Sequence, residues 1–514
     1  MKPALTLNLG LQEYLTAVKD QPKPLIIPLC AELPLPDISP LDVYTGTRNG
    51  IGFLLESMEG SEKIARYSYI GIDQEFVISL GQTVHVQGNE PFTAIVKDPE
   101  GKTPVDQIKS ILSRFCYMNV KAPRFFGGMV GYFAYDCVYS LFEKVRQGHK
   151  NSLDSIRNSS TDDHAARFMF TKDCIVFDHA EQKLFIFSSP FLTYDADLEF
   201  EYERSFSKIR ALQEQITILA SGKHGGFAKK PLDNKKTLEY VPSVSQEAFE
   251  LSVRKIKEHI AAGDIFQAVL SRRIECAMNS DPFAIYAALR KINPSPYMYF
   301  IDFGDEQVIG ASPEMLVRVE KRRVTTVPIA GTRPRGRNLQ EDEEIAQELL
   351  ADPKERAEHT MLVDLARNDL GRVCRFGSVE VEEFMGIEKF SHVQHIVSTV
   401  SGMLKDNLEC YDAFKSCFPA GTVSGAPKIR AMQIIDEEES HNRGLYAGAV
   451  GYIGFDRNLE FAIAIRTIIV RKGRAYVQVG AGIVADSVPE NEWKETESKA
   501  SAMLQAIERA GVPS

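Results

Sequence analysis

No C-x-x-C pair occurs among the eight scattered cysteines of this sequence, so neither a zinc framework nor a disulfide scaffold is indicated. No apolar run approaches the roughly 18 residues of a membrane span. The opening MKPALTLNLGLQEYL has neither the apolar core nor the small-residue cleavage site of a signal peptide. Basic excess is missing too: 60 Lys and Arg face 70 Asp and Glu, a net charge of −10. Such a chain is poorly suited to nucleic acid or an anionic membrane, both of which want basic patches. Nor is there a repeat of 20–50 residues. The expectation is a cytoplasmic protein with reduced thiols that binds neither nucleic acid nor membrane.

What is present describes an ordinary globular chain, 44% hydrophobic and 25% charged. Its 514 residues correspond to about three domain lengths, or two large intertwined ones. Two polar stretches punctuate it. Arg146–Arg167 has the composition of a long loop, and the Gly/Lys-rich Ser221–Lys236 is the better boundary. The predicted organisation is an N-terminal region 1–220, a linker 221–242 and a C-terminal region 243–510, the two regions intertwined. Strand-like runs include Phe76–Leu80, Ile175–His179, Lys183–Ser189, Tyr297–Ile301, Ala475–Gly480 and FAIAIRTIIV, Phe461–Val470. Ser245 can cap a helix whose Phe249, Val253, Ile256 and Ile260 share one face and which ends at Gly263. Further helices are expected at Leu339–Leu350, Lys354–Asp369 and Glu492–Ala510. Strands and helices mix without strict alternation, which predicts an α+β fold of large, mainly antiparallel sheets covered by helices.

Two acidic pairs stand out. Glu355 and Glu358 lie three apart in KERAEHTMLVDLARND, and Glu492 and Glu495 lie three apart in PENEWKETESKA. On a helix each pair projects from one face, where like charges repel. A solvated face with Lys354 and Arg356 nearby accounts for the first pair, and helix-dipole complementation for the second. Two such pairs also suit a hard cation, Mg²⁺ before Zn²⁺, because the donors are carboxylate oxygens with no Cys or His set.

Anion-binding elements are present as well. PIAGTRPRG (Pro328–Gly336) and PAGTVSGAPK (Pro419–Lys428) read as Gly/Thr turns that let backbone N–H groups approach a ligand. Neither is a nucleotide phosphate loop. VGAGIVADS contains Gly480-x-Gly482-x-x-Ala485, but the following DSVPENE is not the apolar helix of a dinucleotide site. Arg466 interrupts FAIAIRTIIV, either paired with a core acid or gripping a buried carboxylate. Glu314 in GASPEML and His395 in FSHVQHIVS could be a helix-start residue and a satisfied core histidine. Together they could also supply an acid and a base tuned by burial.

The motifs AAGDIFQAVLSRR, NPSPYMYF, GASPEML, PIAGTRPRG, EHTMLVDLARNDLGRV, AGTVSGAPK, GLYAGAVGYIG, AIRT, VGAGIVADS and EWKETESKA run in order across Ser245–Ala510. They closely resemble the component I family of anthranilate synthases, the large chorismate-utilising subunits. FLLES (Phe53–Ser57) and RYSYIG (Arg66–Gly71) extend the resemblance more weakly. It implies the chorismate-utilising (aminodeoxychorismate synthase-like) fold and Mg²⁺ between the acidic helices. Glu358 and Glu495 would then be direct ligands, with Glu355 and Glu492 behind them. Arg466, Tyr446 and the Gly480, Ala481, Gly482 backbone would hold the enolpyruvyl carboxylate, with Gly331 and Thr332 completing the pocket.

Two positions bear on the reaction within this family. Isochorismate and salicylate synthases activate water with a lysine where this chain has Gln267, and aminodeoxychorismate synthases carry a lysine nucleophile where this chain has Ala330. Glutamine and alanine do neither job, which points to ammonia attacking ring C2. The resemblance makes Glu314 the proton donor to the C4 hydroxyl, His395 the group that assists pyruvate loss, and Thr422 a hydrogen-bonding pocket residue; Lys428 is left between a pocket and a structural role. The implied product is anthranilate, formed through 2-amino-2-deoxyisochorismate. The alternatives are a synthase that stops at that intermediate, an aminodeoxychorismate synthase, and a catalytically silent sensor on the same fold. The resemblance further implies tryptophan at Glu56, Ser57, Pro296, Tyr297 and Met298 as a feedback inhibitor. A separate glutamine amidotransferase subunit (component II) is expected as partner in a heterotetramer, because no cysteine lies on the tight Gly-flanked turn of a glutaminase.

Overall fold

The structure is a computed structural model that describes residues 5–58, 66–81, 83–120, 122–148, 164–222, 238–278, 280–390 and 393–510. Most of the expected loop at Arg146–Arg167 and of the linker 221–242 lies outside the described residues. Among those described, two large sheets of 12 and 11 strands dominate, and the strand pairs within them are antiparallel. A small third sheet holds a parallel pair, Leu25–Ile26 with Cys116–Tyr117. This is the predicted α+β class.

Strands from both sides of residue 221 share each sheet. In the larger sheet Gly52–Glu56 pairs with Tyr297–Asp302. In the smaller, Gly128–Phe133 pairs with Ala449–Gly454. The period-2 alternation of a strand explains how the layers form. Phe53 points into an aromatic-rich core between the sheets, while its neighbour Leu54 joins a second core on the opposite face. That outer face is covered by the helices Leu198–Ala220, Pro282–Ile292 and Pro489–Ala510. They contribute Ile209, Tyr286 and Met503 to the second core.

Local chemistry sets the helix starts. Ser245 Oγ accepts from the N–H of Ala248 at the head of Gln246–Ala261, and Gly263 beyond its end takes φ +83°. Asp352 accepts from the N–H groups of Lys354 and Glu355, with Pro353 in the first turn, to launch Pro353–Val373.

Three expectations need correction. FAIAIRTIIV is not one strand: Leu459–Ile463 lies in the smaller sheet and Thr467–Arg471 in the larger. The crossing is made at Arg466, whose φ of +51° breaks the extended backbone. PIAGTRPRG is not a turn but the strand Ile329–Pro334, bulged at Gly331. The strand at Ala475–Gly480 is longer than expected, running from Arg474 to Ile483 and carrying Gly480 and Gly482 inside it.

Candidate active site

The break at Arg466 places that residue where the chain passes between the sheets, and the other candidates surround it. The carbonyl of Arg466 accepts from the N–H of Ala311 at 3.1 Å, in the strand that leads into Glu314. Among the described residues no acidic side chain pairs with the Arg466 guanidinium, so the structural reading of a core ion pair does not hold. Burial lowers its pKa, opposed by the Tyr446 phenol and Glu495 nearby. An arginine desolvated without a matched carboxylate is set up to take one from a ligand.

Tyr446 and the strand Arg474–Ile483 stand beside it. A side chain at Gly480 would bring Cβ to 2.5 Å from the Tyr446 hydroxyl, and one at Gly482 would reach 2.9 Å from Gln267 Nε2. At Gly480 the Leu270 carbonyl would also lie 2.9 Å from that Cβ, so close approach of backbone, not a dinucleotide motif, favours glycine there. Ala481 lies between them and is buried. Lys499 Nζ donates to the Gly480 carbonyl at 2.9 Å and pairs with Glu495 at 2.7 Å. Burial raises the Tyr446 pKa to about 12, so the phenol stays a donor.

The acidic pairs do come together electrostatically. Burial raises the Glu358 pKa, and the carboxylates of Glu355 and Glu495 raise it further against Lys354 and Lys499. Burial also raises that of Glu492, whose Oε2 is buried without a partner. Two of the four carboxylates are held by cations of the chain itself. Arg333 donates to Glu355 at 3.1 Å and pairs with Asp352 at 3.0 Å, and Lys499 holds Glu495. Among the described residues no three acidic, His or Cys side chains form a ready metal cage. The crowding at Glu358 and the orphaned oxygen of Glu492 nevertheless fit a hard dication.

His395 is close to this cluster through Gly331. His395 stands opposite Thr332 in the ladder, and its Nδ1 lies 3.0 Å from the Gly331 carbonyl and 3.1 Å from Thr332 Oγ1. A carbonyl only accepts, so Nδ1 carries the hydrogen and Nε2 presents a lone pair. Burial lowers the histidine pKa; the Gly331 hydrogen bond opposes this and Arg466 reinforces it. Gly331 has φ +64°, and a Cβ there would meet Leu349 at 3.0 Å and Glu355 at 3.1 Å. Glu314 sits in the turn between Glu306–Ser312 and Met315–Glu320. Burial raises its pKa to about 8, partly offset by Thr422, whose hydroxyl lies 3.1 Å from both carboxyl oxygens. It is a neutral acid at pH 7.

A separate pocket is lined by Glu56, Ser57, Tyr297 and Met298, together with Tyr67 and Glu460. Pro296 lies beside it in sequence but not in its lining. The Glu56 carboxylate is taken by Arg290 at 2.9 and 3.0 Å and by Tyr286 at 2.5 Å. Lys428 pairs with Asp369 at 2.9 Å and starts the helix Lys428–Glu438. Sequence reasoning missed Arg333, Lys499 and Asp369; only the i, i+4 spacing of Glu495 and Lys499 carried a signal.

The family pattern of the chorismate binding enzymes matches residues 53–505, so the two interleaved antiparallel sheets, with Arg466 unpaired among the described residues where the chain crosses between them, belong to that class. Within that class the chain belongs to the anthranilate synthase component I family. It is 44% identical to anthranilate synthase component 1 of Acetivibrio thermocellus over 95% of this chain and 96% of that one. With the Aquifex aeolicus component 1 it shares 43% identity, covering 98% and 99%. The crystal structure of anthranilate synthase component I from Streptococcus pneumoniae superposes with a TM-score of 0.69 at 36% identity, covering 87% of this chain and 93% of that one.

Proposed function

We propose that this chain converts chorismate and ammonia to anthranilate, pyruvate and water, the first committed step of tryptophan biosynthesis. One observation carries the reading. The best-placed acid, Glu314, is a buried carboxyl whose pKa is raised to about 8, while Gln267 and Ala330 leave no lysine to activate water or attack the ring.

Arg466, Tyr446 and the backbone around Gly480 bind the enolpyruvyl carboxylate, and Gly331 and Thr332 close the pocket. Glu358 and Glu495 would hold Mg²⁺, with Glu355 and Glu492 supporting them. When bound, that ion orients the second carboxylate and offsets its charge. The neutral Glu314 protonates the C4 hydroxyl as ammonia adds at C2, with Thr422 fixing the carboxyl's orientation. Gln267 lies beside Gly482 and cannot act as a base, so water is not turned into a competing nucleophile. The Nε2 lone pair of His395 then takes the C2 proton as pyruvate leaves and the ring aromatises.

The nucleophile comes from a glutamine amidotransferase subunit in a cytoplasmic heterotetramer. All eight cysteines are free, and seven are buried. Burial raises the thiol pKa of Cys137 and Cys417, the reverse of what an activated nucleophile needs. The second pocket takes L-tryptophan as inhibitor. Its reading is supported by an aromatic wall from Tyr67 and Tyr297 beside the Glu56–Ser57 segment. The test is reconstitution. With an ammonium salt the purified chain makes anthranilate; with glutamine it does so only after a component II subunit is added. Glutamine-dependent synthesis by the chain alone, with contaminating partner excluded by mass spectrometry, overturns the two-subunit reading.

A further inference from the structure

Glu314 lines a small pocket whose lining contains none of Arg466, Tyr446, Gly480 or His395. The pocket, of ≈ 40 Å³, has Glu314 and Thr422 on one wall and Asp369, from the helix Pro353–Val373, on another. Much of the remaining lining is apolar, including Leu362, Leu365 and Cys417. Asp369 is only 6% exposed. Lys428 Nζ donates to its Oδ2 at 2.9 Å, whereas its Oδ1 is buried with no hydrogen-bond partner. A carboxylate oxygen left dry in this way is costly. The pocket has room for about two waters, and they would have polar partners at both ends.

We propose that Asp369, held in place by Lys428, passes protons through water in this pocket to Glu314, recharging the acid after each amination. The proposal rests on Glu314 being the proton donor. As ammonia's nitrogen bonds to C2, the C4–O bond breaks and the departing oxygen takes the Glu314 proton, leaving as water. The new substituent is then an ammonium and Glu314 a carboxylate. The ammonium gives up one proton and Glu314 must regain one, so the exchange is balanced and involves no redox change. With substrate covering its other side, Glu314 regains its proton from the pocket water, which is replenished through Asp369. Burial raises the Asp369 pKa against the cations Lys428 and Arg372, which brings it closer to the range of a proton carrier. The neighbouring Cys417 thiol is pushed up by burial and by Asp369 and stays protonated. Asp369 touches no substrate in this scheme and acts only through Glu314.

The plain alternative is a structural ion pair at the start of the helix Lys428–Glu438. Removing one partner of a buried pair is destabilising, whereas neutralising both is tolerated far better. The test therefore compares Asp369→Asn with the double variant Asp369→Asn/Lys428→Met. Rapid mixing with enzyme in excess over chorismate reads the first amination, and steady-state assays read kcat. A relay leaves the first turnover within about twofold of the parent and lowers kcat about 10-fold or more. The solvent deuterium isotope effect on kcat rises, and formate, a small diffusible acid, restores part of the rate. First-turnover and steady-state rates falling together, or neither falling, overturns the relay. Glu314→Gln separates the two claims: if it keeps the first-turnover amination, the assignment of Glu314 itself has failed, whatever Asp369 does.

Discussion

Thr422 Oγ1 lies 3.1 Å from both carboxyl oxygens of Glu314. One hydroxyl hydrogen can serve only one oxygen at a time, so the second contact suits a carboxyl that carries its own proton. In the proposed reaction the active form is protonated Glu314, so with a pKa of about 8 activity should decline above that pH. His395 must be neutral, and its pKa lies below the usual histidine value, so the acid side of the profile falls below about 6.5. Thr422→Val removes the contact that lowers the Glu314 pKa. It should move the basic limb of kcat to higher pH and cost about 10-fold in kcat, measured at a fixed concentration of neutral ammonia. An unmoved limb would contradict the pairing.

The same shift has a consequence for stability. Unfolded Glu loses its proton near pH 4.5 and folded Glu314 near 8, so folding free energy is lost progressively between those values as pH rises. Gln has no such loss. Glu314→Gln should therefore be more stable than the parent, by a margin that grows from pH 5 to pH 8 and levels off beyond. Thermal melts across that range check it, and a margin that shrinks with pH contradicts a raised pKa.

Two further substitutions separate the chemical steps. His395→Ala should slow anthranilate release more than amination, so that 2-amino-2-deoxyisochorismate accumulates from chorismate, ammonia and Mg²⁺. Equal loss of both steps would mean that the histidine shapes the pocket only. Glu358→Gln should depress both steps together and raise the Mg²⁺ concentration for half-maximal rate about 10-fold or more, since even loss of a group that only supports a metal ligand costs that much. Chromatography of quenched reactions reads both variants.

The pocket beside Glu56 and Ser57, proposed to take tryptophan, backs onto Glu314. Tyr297 of its wall pairs with Ser312, whose Oγ donates to the Ile463 carbonyl at 2.7 Å, and Ile463 N–H donates to the Glu314 carbonyl at 3.0 Å. Occupancy of the pocket can thus bias the turn that carries Glu314. Ser57→Ala should raise the tryptophan concentration for half-inhibition about 10-fold, a typical coupling magnitude, with activity lacking effector nearly unchanged. A parent protein insensitive to millimolar-range tryptophan, on the order of 1 mM against ordinary micromolar effector affinities, would remove the regulatory reading.

Much of this was legible in the chain, and the limits are instructive. Ser245 and Gly263 announced helix ends because capping is a local contest for backbone hydrogen bonds. Glu355 and Glu358 could be placed on one helix face from spacing alone. Their counter-charge could not, because Arg333 reaches Glu355 from a strand 22 residues earlier. Glu56 was expected at a tryptophan site, yet its carboxylate is held by Tyr286 and Arg290, more than 200 residues away. FAIAIRTIIV shows the same limit at the level of topology. Apolar periodicity is the same whether a strand continues or changes sheets, so only Arg466's backbone reveals the crossing. The buried Asp369 oxygen left no trace in sequence, since an unmet hydrogen bond is a property of packing.

The most direct test is product analysis of the purified chain supplied with chorismate, an ammonium salt and Mg²⁺. The account predicts anthranilate and pyruvate in equal amounts, with the ring nitrogen drawn from labelled ammonium and no product when Glu314 is replaced by Gln. Isochorismate, 4-amino-4-deoxychorismate or accumulated 2-amino-2-deoxyisochorismate as the end product of the unaltered chain would contradict it.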